Sequence, residues 1–382
     1  MEVFLSDHDT IRAELMYLGS LGARLSGSKP HNQLVEHVKQ QWVDFGMRVH
    51  EDVLHFDRWS MTAENPNGLG LVIDGRDVAI SSVFPYSGTT GPRGTEKQLH
   101  RLRGAIPRCA KARGCIAVLE VRNHEFPFSA VVKTWDRARA WGKTTIPLLP
   151  ATLAGLGLAR ARRAGVEAVI FAWRGISSPN ARGQNLPFTL PYQSIPAVFV
   201  AGEEADFVLD AASRCRQGVL VLDAVIEPPR RSRMLCPPLK HCYGPTGNPE
   251  PELLYASNPQ LRALVESEWR TAAQAPRVSA PNALIQFGEG QPLYLKGIPN
   301  IALVTVPKYL LSTEQGDYVD ITLLDRQVNS FARLLQRIDA MRTNEIGTVK
   351  PVTRLAKTAA ALRAIGILVV HHGDFDNFGV AG

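Results

Sequence analysis

"ARRAGVEAVIFAW", residues 161–173, decides the fold. A basic, alanine-rich helical end stops at Gly165, and a run rich in β-branched and aromatic residues follows at once. The same texture surrounds it from about residue 70 to 228. "LVIDG" (71–75), "AISSVF" (79–84), "GCIAVLEV" (114–121), "IPAVFVA" (195–201) and "VLVLDAVI" (219–226) each read as strands. One helix, "LAGLGLARARRAG" (153–165), precedes the quoted strand, and a second, "EEADFVLDAASRC" (203–215), follows "IPAVFVA". A compact β-rich module with its own core is expected over 71–228, inserted into a larger domain.

Outside that module the periods are helical. "SDHDTIRAELMYLG" (6–19) places Ile11, Leu15 and Leu18 on one face behind Ser6 as an N-cap. "HNQLVEHVKQQWVDFG" (31–46) is a second amphipathic helix, closed by Gly46, and "MRVHEDVLHF" (47–56) alternates like a strand. The proline density of residues 227–252 reads as a linker. Beyond it come the helix "NPQLRALVESEWRTAA" (258–273), strands "NALIQF" (282–287) and "IPNIALVTV" (298–306), and a long amphipathic helix over 320–342. A break at 343–352 precedes a last helix, 353–366. The fold class expected is α/β, a mostly parallel sheet flanked by helices. Its larger domain is built from 1–70 and 229–345, and 346–382 forms a C-terminal tail.

The totals exclude several classes. With 382 residues, 45% hydrophobic and 21% charged, the chain can bury a core without disulfide or metal staples. The net charge of +7 is spread over 100–114, 159–165 and 228–233 without aromatic interleaving. Those clusters read as solvated surface, and no nucleic-acid partner is expected. Five irregularly spaced cysteines argue against a disulfide framework. "CPPLKHC" (236–242) gathers Cys236, His241 and Cys242, with no second ligand pair at zinc-finger spacing. Neither a signal peptide nor a membrane-length apolar run is seen, so the expectation is a soluble, cytoplasmic protein. Gly-x-Ser-x-Gly and phosphate-loop patterns do not occur, and "GLGLAR" (155–160) lacks dinucleotide-loop spacing.

Three separated stretches resemble one family in its own order: "YLGSLGARLSGSKPHNQLVEHVKQQWVDFGMRVHEDVL" (17–54); the middle module with "ARRAGVEAVIFAW", "IPAVFVAGEEADFVL" and "GVLVLDAVI"; and "GEGQPLYLKGIPNIALVTVPKYLLSTEQGDYVDITLL" (288–324). They are similar to zinc-dependent exopeptidases of the aminopeptidase and glutamate-carboxypeptidase type, with an inserted protease-associated domain. The resemblance implies a di-zinc site of His and carboxylate ligands, with a Glu as general base to a metal-bound water. In the family most of those ligands lie between the inserted module and the closing segment. Here that interval is short and proline-rich and contains His241 alone among histidines. Gly290 stands where the resemblance implies a His, and Leu310 where it implies a metal-binding His.

Two stretches mimic the missing donors. Glu203 and Glu204 supply a Glu-Glu pair, but at the start of a helix, where acids complement the dipole. The end of the chain, "HHGDFDNFGVAG" (371–382), contains a His-x-Asp behind the apolar "AIGILVV". The expectation is a non-catalytic or vestigial relative that acts by binding a peptide or small molecule without a resident cofactor. Its pocket would be lined by Glu289, Tyr294 and Tyr309. The alternative is a metal-dependent hydrolase holding zinc on His371, His372, Asp374 and Asp376.

Overall fold

A computed structural model describes residues 7–22, 24–51, 53–61, 68–104, 107–124, 126–127, 132–135, 143–144, 147–184, 186, 190–233, 252–270, 278–281, 290–305 and 321–358. The chain opens with helices α1 (His8–Ser20) and α2 (Lys29–Asp44), then strand β1 (Val53–Met61). Asp7 caps α1, its side chain accepting from the Thr10 amide at 2.7 Å. The expected cap, Ser6, lies outside the described residues. Ser28 caps α2 through the His31 amide, with Pro30 in the first turn.

The middle of the chain supplies β2 (Leu69–Ile73), β3 (Arg76–Asp77), β4 (Ser82–Val83), β5 (Gly91–Leu102), β6 (Ile116–Arg122), β7 (Phe126–Pro127), β8 (Lys133–Thr134), β9 (Lys143–Thr144), α3 (Leu148–Gly155) and α4 (Leu158–Arg163). Next come β10 (Ala168–Arg174), α5 (Ser178–Ala181), β11 (Ala197–Ala201), α6 (Glu203–Ser213), β12 (Gln217–Leu222) and β13 (Ala224–Arg233). Eight of these strands form one sheet in the order β3-β2-β12-β5-β6-β10-β11-β4. Its four central strands run parallel, β5 to β6 to β10 to β11, and the pairs outside them are antiparallel. The fold is therefore α/β, with a large mixed sheet flanked by helices.

The quoted stretch explains that centre. Every residue of β10 from Ala168 to Trp173 is buried, because the sheet is covered on both sides. Phe171 and Trp173 point to one face, where Phe84 and Phe199 join them with ring centroids 4.7–5.8 Å apart. Ile170 and Ala172 point to the other, onto Ala205, Val208 and Ala212 of α6. Each fully buried aromatic stabilises the fold by roughly 2–3 kcal/mol over exposure.

Several elements differ from the sequence expectation. The helix expected over 153–165 is two short ones, α3 and α4, broken at Leu156–Gly157. A Cβ at Gly155 would lie 2.5 Å from the side chains of Phe84 and Leu190, so only glycine lets α3 approach the aromatic cluster. "VLVLDAVI" is divided at Asp223 between β12 and β13. The expected linker begins later than 227, because β13 continues to Arg233 against β1. The register of that pair shifts between Phe56 and Arg58, opposite Pro228 and Pro229. Prolines lack the amide a regular ladder needs, and a bulge tolerates them.

Beyond β13 lie β14 (Glu252–Ala256), α7 (Pro259–Glu268), β15 (Val278–Ala280), α8 (Gly290–Leu295), β16 (Ile301–Thr305) and α9 (Ile321–Asp339). They form a second sheet, β16-β14-β15-β8, whose fourth strand is donated by the middle of the chain. β14 and β15 are parallel, and β16 and β8 are antiparallel to their neighbours. Helices α7 and α9 cover one face, with Trp269 and Phe331 edge to face at 5.0 Å. α1 packs along α9, where His8 Nε2 lies 3.3 Å from Asp325. No helix among the described residues is long and apolar enough to cross a membrane.

Candidate functional site

Tyr294 is the one expected pocket residue that falls among the described residues. It lies on α8, a single short helix begun by the buried Gly290. Burial raises its phenol above the ordinary value, so it remains a neutral hydrogen-bond donor at neutral pH. Glu289, Tyr309, Leu310, His371, His372, Asp374 and Asp376 lie outside the described residues, as do "NALIQF" and the Cys236–Cys242 loop.

What holds α8 in place is visible. Gly297, at φ +78°, turns the chain so that the Ile298 amide donates back to the Leu293 carbonyl at 3.0 Å. The segment after α9 then lies against this turn. Val352 donates its amide to the Leu295 carbonyl at 3.0 Å, and a Cβ on Gly297 would meet Pro351 at 2.8 Å. Asn258, buried at the N-cap of α7, ties the same segment at a second point. Its Oδ1 accepts from the Leu261 amide at 2.9 Å, while its Nδ2 donates to the Ile346 carbonyl at 3.0 Å. Residues 342–352 are thus laid beside α8 and α7.

Glu203 and Glu204 behave as helix-start residues. They stand with Asp206 in the first turn of α6. Arg76 Nη2 donates to both carboxylate oxygens of Glu204 at 3.0 Å, and that guanidinium stacks 3.9 Å over the Phe207 ring. A carboxylate committed to an arginine in this way is not presented to a metal. Among the described residues, no group of three or more His, Cys, Asp or Glu is placed to hold a metal ion.

Two polar clusters were not singled out by the sequence reading. Between α1 and α2, Glu14 bonds His37 Nε2 at 3.0 Å and Gln41 Nε2 at 2.8 Å, with the Tyr17 ring 4.3 Å from that of His37. At the carboxyl ends of the central strands, Glu120 is surrounded by Arg101, Arg122 and Arg174. The second cluster left a trace in the sequence, an arginine near the end of each of three strands. Only the register shows that they meet.

Comparison with known proteins agrees with the architecture. The zinc aminopeptidase BSAP from Bacillus subtilis superposes with a TM-score of 0.55 at 11% identity, over 92% of this chain and 100% of that one. A peptidase M28 precursor from Shewanella amazonensis SB2B gives 0.53 at 10% identity, over 91% and 95%. An aminopeptidase from Aneurinibacillus sp. strain AM-1 gives 0.52 at 14% identity, over 91% and 97%. The chain has the fold of these proteins across nearly its whole length. No protein-family model matches the sequence, and no curated protein matches it.

Proposed function

We propose that this chain is a relative of the zinc exopeptidases that acts by binding a peptide or small molecule, without a complete di-zinc site. The observation that carries this reading is Gly290. It begins α8 as a buried residue at the position where the resemblance implies an imidazole, and glycine offers no lone pair. The engagement of Glu204 by Arg76 supports the same reading. The proposed ligand surface lies along α8, where the neutral Tyr294 phenol donates a hydrogen bond.

We also read residues 71–228 as the inserted protease-associated module. The support is topological: the chain enters the middle region along β1 and leaves along β13, and these two strands pair with each other. Adjacent entry and exit points are what an insertion into a host domain needs.

A second reading keeps the hydrolase, with zinc held by His371, His372, Asp374 and Asp376. One observation favours it: the last described segment runs beside α8 at Val352.

Metal analysis after purification in metal-free buffer decides between them. The first reading expects no stoichiometric zinc and no chelator-sensitive cleavage of aminoacyl-anilides. About two tightly held zinc ions per chain, released by His372→Ala, would overturn it.

A further inference from the structure

Arg122 and Arg174 are direct neighbours on the parallel strands β6 and β10, paired in register at the carboxyl ends of both. Strands lie about 4.8 Å apart, and like charges placed opposite one another destabilise a sheet. One residue pair earlier on the same face is Glu120, the partner of both guanidiniums. Arg122 donates to its Oε1 at 2.6 Å, Arg174 lies 3.8 Å from that oxygen, and Arg101 of β5 donates to Oε2 at 3.4 Å. Arg174 also pairs with Asp206 on α6, and Arg101 donates to Ser213 Oγ at 3.3 Å.

Among the described residues three guanidiniums thus share two carboxylates, which leaves one positive charge in excess there. Arg103, exposed one residue beyond β5, adds another and has no ion-pair partner among the described residues. Anchoring α6 to the sheet needs only Arg174 and Arg101, so it does not explain Arg122, whose side chain is half exposed. Each arginine contacts a carboxylate one oxygen at a time, which leaves fork donors of Arg122 turned toward solvent. The patch sits at the carboxyl ends of adjacent parallel strands, where open α/β sheets bind their ligands.

We propose that this arginine patch docks an acidic peptide segment, with carboxylates bridging Arg122, Arg174 and Arg103 over Glu120. The residual charge decides the class. One or two separated monoanionic carboxylates neutralise it, whereas a compact dianion would sit directly over the Glu120 carboxylate. The inference is independent of the metal question at α8.

Fluorescein-labelled hexaglutamate titrated into the full chain by fluorescence anisotropy tests it, with hexalysine and inorganic phosphate as comparisons. Binding is expected for hexaglutamate and not for hexalysine, and it should weaken as salt rises. The double variant Arg103→Ala/Arg122→Ala should weaken it roughly fivefold or more. Glu120→Gln removes the competing carboxylate and should tighten binding, a gain that a purely structural ion cluster would not produce. That arm decides the matter even if the double variant fails to fold. No hexaglutamate binding, or binding unmoved by Glu120→Gln and by a folded double variant, overturns the proposal. Phosphate binding tighter than hexaglutamate overturns the peptide as occupant.

Discussion

His31 sits at the third position of α2, where the Ser28 hydroxyl accepts its amide. Its ring is partly buried. Burial holds the imidazole below its ordinary pKa, outweighing a side-chain hydrogen bond with Asn32 that acts in the opposite direction. The unfolded chain therefore takes up the proton first as pH falls. Stability contributed by the neutral ring is intact above pH ~6.5 and is lost as pH drops from there toward the lower folded value. His31→Gln should flatten the fall of the urea midpoint between roughly pH 7.5 and pH 5 relative to wild type. Parallel slopes in the two proteins would assign that acid sensitivity to other groups. Glu203 and Glu204 teach a different lesson at this scale. Their position after "IPAVFVA" made a helix start legible, because acids there answer the exposed amides of the first turn. The Arg76 that occupies Glu204 comes from more than a hundred residues away, and no local pattern announces it.

At the scale of elements, the strongest local patterns survived. β6, β10, β11, α6, α7 and α9 all form within a few residues of where their periods place them. β5 is the chief omission. "GPRGTEKQLHRL" (91–102) reads as polar and basic, yet it is a twelve-residue strand at the centre of the sheet, with Leu99 and Leu102 buried. Its side chains are held by neighbours on β6 and β12, a tertiary contribution that propensity does not contain. α9 shows the same limit. Leu324 and Leu334 are buried along it, but Leu335 is 62% exposed while Gln327 and Ser330 are buried. Asn258 joins two elements through one side chain, so its loss should register in both. Asn258→Ala is expected to cost about 1–2 kcal/mol, since it removes an N-cap and the donor to the partly buried Ile346 carbonyl. Hydrogen exchange should show faster amides in residues 345–352 as well as in the first turn of α7. Protection lost in α7 alone would mean that the segment is held by Pro351 and Val352 without help from Asn258.

For the whole molecule, the decisive feature is a strand from the middle of the chain that belongs to the second sheet. Lys133–Thr134 leaves the eight-stranded region to pair with Ser279 and Ala280. Beside it, Val132 is buried with Leu253 and Tyr255, and Trp135 donates its indole N–H to the Ala256 carbonyl at 3.2 Å. The two sheets are thereby stitched together at a point far in sequence from the β1–β13 ribbon. Scanning calorimetry should show one cooperative transition for the wild type. Trp135→Ala, which removes the indole contact and its burial against α7 and α9, should cost about 3 kcal/mol and separate the transition into two. A single transition that merely moves to lower temperature would show that the ribbon alone couples the halves.

The α/β class, the buried parallel strands around 161–173 and the start of α6 were determined by the sequence itself, because local period, glycine breaks and helix-end chemistry act over a few neighbouring residues. The order of strands, the capture of Lys133–Thr134 by the second sheet and the meeting of Arg101, Arg122 and Arg174 around Glu120 were decided only in three dimensions. Register and long-range pairing arise from packing between segments whose sequences carry no record of one another.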